Sequence, residues 1–287
     1  MQDYIKLILI FILLANVTFA NTNDSTELVK PELSYTKLGI VAGLSVGGIV
    51  VGQITQQDKY WKEKSNFSVM PWKMEYDDAL IADKFGHFFF ANAFSQTYKN
   101  ALLMTGLDTT TSLWIACGLT FSYHSYIELK DAYSKGGNYL SFSRGDIIAN
   151  FAGVAFTYWQ TKQPEANKFN FKYSLQKSEN YNNWAYKSLT DDYESSYHWL
   201  AIDSRLIYDS GNDWQKYFNL AIGHSVKDLD RNGKGYHEVY LSLDYNLKEI
   251  ETGIEFLDYL IKTINNYHLP APAVRVYPDV RFYFLKM

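Results

Sequence analysis

Between Lys37 and Asp58 twenty consecutive residues, LGIVAGLSVGGIVVGQITQQ, carry no charge. A helix of about 20 apolar residues matches the roughly 30 Å hydrocarbon core of a bilayer. Gly39, Gly43 and Gly47 recur at four-residue spacing, as do Gly48 and Gly52. Small residues so spaced let helix backbones approach closely in lipid. In a soluble core each such glycine costs about 1 kcal/mol relative to alanine. The stretch reads as membrane-inserted.

What precedes it points the same way. MQDYIKLILIFILLANVTFA carries Lys6 ahead of an apolar run from Leu7 to Ala15 and ends in Thr18-Phe19-Ala20. This is the layout of a secretory signal peptide over residues 1–20. No cysteine follows the apolar run, so no lipoprotein attachment site is expected. Residues 21–34 are polar and proline-broken, an exposed leader. Three more apolar segments follow: Phe85–Leu107, Thr109–Ile127 and Ile147–Thr161. Together the four predict a membrane-associated four-helix module over residues 35–162.

Composition narrows the function classes. Lys+Arg number 27 and Asp+Glu 31 in 287 residues, a net charge of −4, which argues against a nucleic-acid partner. An aromatic content of 17% is too rich for disorder. The single cysteine, Cys117, excludes an intrachain disulfide framework and multi-cysteine metal sites.

After about residue 165 the pattern changes. Residues 166–198 are polar and tyrosine-rich with no clear period. Val239 to Leu247 alternates apolar and mostly polar residues, as a half-buried strand does. Phe218, Leu220 and Ile222 give a weaker version. Ile254, Leu257, Ile261 and Ile264 set one apolar face on a helix within 250–264. His268 to Pro272 is an extended breaker, and Arg275–Leu285 reads as a terminal strand. The expected fold class is therefore mixed: a membrane-associated helical module followed by a small β-rich domain over residues 166–287. Closure of that tail into an outer-membrane barrel is a further option, although the sequence ends in Lys286-Met287 rather than an aromatic.

Polar groups recur at the ends of the apolar segments. Asp83 and His87 are four apart and share a helix face. His124 and Glu128 repeat the spacing, with Asp131 three residues on. Asp146 and Asn150 repeat it again, with Gly153 continuing the face. Ionisable groups near a membrane face a bundle interior and often mark a functional site.

These residues carry a resemblance. Asp83-Lys84-Phe85-Gly86-His87-Phe88, then Glu128-Leu129-Lys130-Asp131, then Ser141-Phe142-Ser143-Arg144-Gly145-Asp146 through Asn150 and Gly153, resemble the YfiM-like family over about residues 75–160. The ordered pattern is also similar to VanZ-like membrane proteins, which are associated with glycopeptide-antibiotic resistance. The resemblance implies an exported, envelope-located protein with a shared polar core and no assigned activity.

That core admits two readings. In the first, Asp83, Lys84, His87, His124, Glu128, Asp131, Ser143, Asp146 and Asn150 form an interhelical polar lock, with Lys84, Lys130 or Arg144 pairing Asp83 or Glu128. The chain is then a structural envelope factor that holds a membrane lipid or another envelope component. In the second, His87, Glu128, Asp131 and Asp146 ligate zinc, manganese or iron, or these groups with Asp83 perform acid–base hydrolysis of an amphiphilic envelope substrate. No HExxH signature is present, nor the Glu-x-x-His pairs of di-iron bundles. The sequence names no cofactor.

Other motifs carry less. Asp228 to Gly233 matches half of a calcium loop, but the twelfth position is Val239; a hairpin turn at Asn232-Gly233 is expected instead. Cys117 reads as a buried structural thiol. Phosphate-loop, dinucleotide and G-x-S-x-G motifs are absent.

Overall fold

The computed structural model describes residues 32–135, 140–178, 192–208, 210–230 and 232–287. The expected signal peptide and most of the expected leader lie outside the described residues.

Helix α1 spans Tyr35–Lys59, with the Ser34 side chain accepting the Lys37 N–H at 3.3 Å. At 1.5 Å per residue it is about 37 Å long. None of its residues is buried. Among the described residues it is the one helix long and apolar enough to cross a membrane. The expectation of four membrane helices is corrected here. The other three apolar segments do form helices: α3 (Ala82–Leu103), α4 (Thr109–Ala132) and α5 (Arg144–Lys162). Their buried faces, however, hold Asn92, Ser95, Thr120, His124, Glu128, Asp146, Asn150, Thr157 and Gln160. Those groups dilute stretches that looked apolar only because they carry few charges.

The helix ends follow local chemistry. The Asp108 carboxylate caps α4 by accepting the N–H groups of Thr110 and Thr111, both at 3.0 Å, and Ser143 Oγ caps α5 through the Asp146 N–H at 3.0 Å. Such caps satisfy amides that have no partner within the helix. A short helix, α2 (Trp72–Asp77), follows Pro71. Helices α3 and α5 pack closely because Gly153 has no side chain: a Cβ there would lie 2.3 Å from the Phe88 carbonyl oxygen. Beyond that contact, Asn92 donates to Thr157 Oγ1 at 2.8 Å and Gln96 to Gln160 at 2.7 Å.

Six antiparallel strands follow as a meander: β1 (Phe169–Leu175), β2 (Ser196–Asp203), β3 (Phe218–Lys227), β4 (Tyr236–Tyr245), β5 (Ala271–Tyr277) and β6 (Arg281–Lys286). Helix α6 (Glu255–Ile264) lies between β4 and β5. The expected terminal strand is in fact two, because Pro278 and Asp279 turn the chain between β5 and β6. The 166–198 stretch, expected to lack a period, contains β1.

This sheet curls on itself. Lys172 of β1 meets Asp244 of β4 at 2.7 Å, although strands about 4.8 Å apart would put them some 14 Å apart on a flat sheet. On its outer edge β1 is bridged by residues 266–268: the Tyr173 N–H donates to the Asn266 carbonyl at 3.1 Å, and the His268 N–H to that of Tyr173 at 2.9 Å. Inside, His268 stacks on Trp199 with ring centres 4.0 Å apart. Trp199 lies flat over Gly223, where a Cβ would come within 2.4 Å of the indole.

The start of α3 lies against the sheet's outer side. Phe85 meets His198 and His224 at ring distances of 5.8 and 5.0 Å, Phe88 meets Phe171 at 4.7 Å and Phe89 meets Tyr173 at 5.0 Å. The loop between β3 and β4 contains Asn232-Gly233, with Asp230 accepting the Asn232 and Lys234 N–H groups at 2.8 and 3.0 Å.

Candidate functional site

Helices α2 and α3, the C-terminal end of α4 and the start of α5 bring charged groups to one end of the bundle. At the centre is Lys84, its ammonium 2.6 Å from Asp146, 3.0 Å from Asp83 and 3.0 Å from Glu75. It also donates to Ser143 Oγ at 3.2 Å. Ser143 Oγ donates onward to Glu75 at 2.6 Å, and the Arg144 N–H donates to the same carboxylate at 3.0 Å. One serine thus caps α5 and ties it to α2.

One turn along α3, His87 sits between the carboxylates. Its Nε2 is 3.6 Å from both Asp83 and Asp146, its Nδ1 3.8 Å from Glu128, and Nδ1 donates to Asn150 Oδ1 at 3.3 Å. The Tyr193 hydroxyl donates to Asp83 at 2.9 Å, joining the cluster to the segment that enters β2. Trp61 Nε1 donates to Asp131 at 2.5 Å on the far side of the cluster.

Electrostatics follow from burial and crowding. Burial alone would push the His87 imidazole down, but the charges of Asp146, Asp83 and Glu128 outweigh it and hold it up at about 9. Burial opposes ionisation of Asp83 as well, yet Lys84 and His87 hold its carboxyl well below the usual range. Lys84 is held firmly protonated by Asp83 and Asp146 against its own burial. Burial raises Glu128 well above a normal glutamate, raises Asp146, and pushes Asp131 up to about 6. Five carboxylates surround two cations, so the cluster keeps its carboxylates by pairing some and by favouring the protonated form of others.

The sequence-based residues divide. Asp83, Lys84, His87, Glu128, Ser143, Asp146 and Asn150 converge, with Asp131 at the margin. His124 does not join them: its Nδ1 bonds the Thr120 carbonyl oxygen at 2.9 Å, and burial pushes it down to about 4. Lys130 lies over the Trp61 ring and Arg144 over the Trp72 ring, so neither is the expected partner of Asp83 or Glu128. Glu75 and Tyr193 are additions that sequence reasoning missed. Cys117 is buried in α4 beside the Val154 carbonyl oxygen at 3.9 Å.

As ligands for a metal, Asp83, His87 and Asp146 offer donor atoms within 4.8 Å of one another. Asp83 takes the place that the sequence reading gave to Glu128 and Asp131. The Lys84 ammonium already lies against both carboxylates of that set. Beside it, Ile81, Lys84, Phe85, Phe88, Ala149 and Phe171 line a cavity of 230 Å³ that is apolar apart from the lysine.

A family described as predicted periplasmic lipoproteins (DUF2279) matches residues 71–162, the segment from α2 to the end of α5. No curated protein and no solved structure matches the chain. The chain is an exported protein of the cell envelope. The family match supports an uncharacterised periplasmic family and carries neither the YfiM-like nor the VanZ-like name. The one cysteine of this sequence is the buried Cys117.

Proposed function

We propose that this chain is a membrane-anchored envelope factor in which α1 is the anchor and the Lys84 cluster is a lock. The lock fixes the ends of α2, α3, α4 and α5 against one another and against the sheet, so that the module holds a lipid or another envelope component in a set orientation. The observation that carries this reading is the Lys84 ammonium, within 3.0 Å of three carboxylates on three helices. A cation supplied by the chain stands where an added metal would otherwise balance those charges.

Elemental analysis of detergent-purified protein, beside Lys84→Met and His87→Ala, tests it. Removing one partner of a buried ion pair costs about 3–5 kcal/mol. The lock therefore predicts no stoichiometric metal and a large fall in the thermal midpoint of Lys84→Met. A folded Lys84→Met protein with an unchanged midpoint overturns it.

A second reading is favoured by the Asp83, His87 and Asp146 donor set beside an apolar cavity: a metal- or acid–base-dependent hydrolase acting on an amphiphilic envelope substrate. It predicts near-stoichiometric zinc, manganese or iron, or hydrolysis of acyl esters, lost in a folded Asp146→Asn variant. Absence of both removes this reading.

A further inference from the structure

Side chains alternate between the two faces of a strand, and in this sheet charged groups lie on the enclosed face while apolar ones extend over the outer face. The enclosed face carries Lys172, Ser174, Asn219, Ser225, Glu238 and Asp244 beside a cluster of Tyr197, Trp199, Ala201, Ala221 and Tyr240, none more than 4% exposed. Apart from His198, His224 and His237 toward one end, the outer face is largely apolar. One row of directly paired residues crosses all six strands: Phe171, Leu200, Ile222, Leu241, Val274 and Phe282. A second row, Ile202, Leu220 and Leu243, runs beside it. Neither row contains a charge. Within them Leu220, Ile222, Leu241 and Leu243 are 40–50% exposed and Phe282 is 78% exposed.

Helix α3 covers only part of this wall. Toward the other end of β3 and β4, His224 and Val226 pack against Phe85 and Leu80. The uncovered part runs from Phe218 to Ile222 on β3 and from Leu241 to Tyr245 on β4. Five residues at about 3.4 Å each give roughly 17 Å, about half of a 30 Å hydrocarbon core.

An aromatic rim closes the exposed end. Tyr208 and Trp214, in the connection between β2 and β3, are 72% and 59% exposed. Tryptophan and tyrosine favour the level of lipid headgroups. The rim is continuous with the start of α1: Arg205 pairs with Glu249 in the segment leading to α6, and Lys37 in the first turn of α1 pairs with Glu255 of α6.

We infer that the outer wall of the sheet is a lipid-contact surface, seated to the depth of one leaflet, with Tyr208 and Trp214 at headgroup level on the side where α1 begins. Two outer rows without a charge suit hydrocarbon, and the aromatic rim marks where hydrocarbon gives way to headgroups. The inference rests on α1 as the membrane anchor, and its test separates the two.

Full-length protein carrying Cys117→Ser receives a single environment-sensitive fluorophore at Ile222→Cys, Leu241→Cys, Val46→Cys or Lys234→Cys. Each is reconstituted in vesicles of phosphatidylethanolamine and phosphatidylglycerol. Labels at 222 and 241 are expected to be quenched by nitroxide-bearing lipid and protected several-fold from aqueous iodide relative to 234, as is the label at 46 on α1. If 46 meets lipid while iodide quenches 222 and 241 as it does 234, the sheet surface faces water and the inference fails alone. If neither quencher reaches 222 and 241, protein covers them, a second copy among the options, and the inference fails as well. If the label at 46 is itself in water, the anchor reading fails.

Discussion

Lys84 has a flexible four-carbon stem, yet three carboxylates and a serine hydroxyl hold its ammonium in one place. Such pairs form at the expense of hydration, so a cluster of this kind specifies geometry more than it adds stability. Of the cluster's two cations, His87 is the one that gives up its proton first. Its imidazole is held up at about 9 by Asp146, Asp83 and Glu128, against about 6.5 in an unfolded chain. Between those values the folded protein binds the extra proton, so the stabilisation is fully present below pH 6.5 and declines as pH rises through 9. Thermal midpoints are expected to fall from pH 7 to pH 10, with a smaller fall in His87→Gln, and the histidine resonance itself is expected to titrate near 9. A midpoint independent of pH over that interval, in a protein whose His87 is neutral at pH 7, contradicts this account. Asp131, pushed up to about 6 by burial, acts with the same sign at lower pH, because ionising it in place is penalised. Ser143 joins two roles, the cap of α5 and a hydroxyl donated to Glu75. Ser143→Ala is therefore expected to lower stability by at least the 0.5–2 kcal/mol of an ordinary cap, as measured by denaturant or thermal unfolding in detergent.

At the scale of elements, the α3–α5 contact turns on one residue without a side chain. Adding a methyl at Gly153 would drive it into the Phe88 carbonyl and against Ala91. Gly153→Ala should therefore cost about 1–3 kcal/mol, the usual range for overpacking, while Gly118→Ala, with open space around its Cβ position, should be near neutral or stabilising. Comparable midpoints for the two would show that the helices are not in close contact. The long helices were legible because α1, α3, α4 and α5 each leave a long run with few charges, and because the pairs Asp83/His87 and Asp146/Asn150 fall one turn apart. Their relation to a membrane was less legible. Absence of charge does not separate a lipid-facing surface from a packed one lined with Asn92, Thr157 and Gln160. Glu75 escaped notice because a six-residue helix has too few turns to show a period. Strand β1 escaped because its alternation points inward with Asn170, Lys172 and Ser174, residues that ordinarily mark the wet side. His124 was misplaced for the opposite reason. It shares a helix face with Glu128 but lies one turn deeper, where its Nδ1–H donates to the Thr120 carbonyl oxygen.

For the whole molecule, the sheet and the bundle both mix hydrogen-bonded groups with apolar clusters in their interiors. The sheet interior is closed by Lys172 and Asp244, with side-chain exposures of 1% and 0%. Lys172→Met removes the cation from a buried carboxylate that keeps His268 and Asn219 as partners, and is expected to cost about 3–5 kcal/mol. An unchanged thermal midpoint in Lys172→Met would show that the sheet does not curl to bring β1 to β4.

That closure also limits how copies of this protein can join. Open strand edges are where chains add to one another, and a sheet with two of them can extend end to end without limit. Among the described residues, 266–268 occupy the outer edge of β1 at Tyr173, whereas β6 pairs with β5 on one side only. Strand-to-strand addition is therefore favoured at β6, where β6 against β6 joins two copies related by a twofold axis.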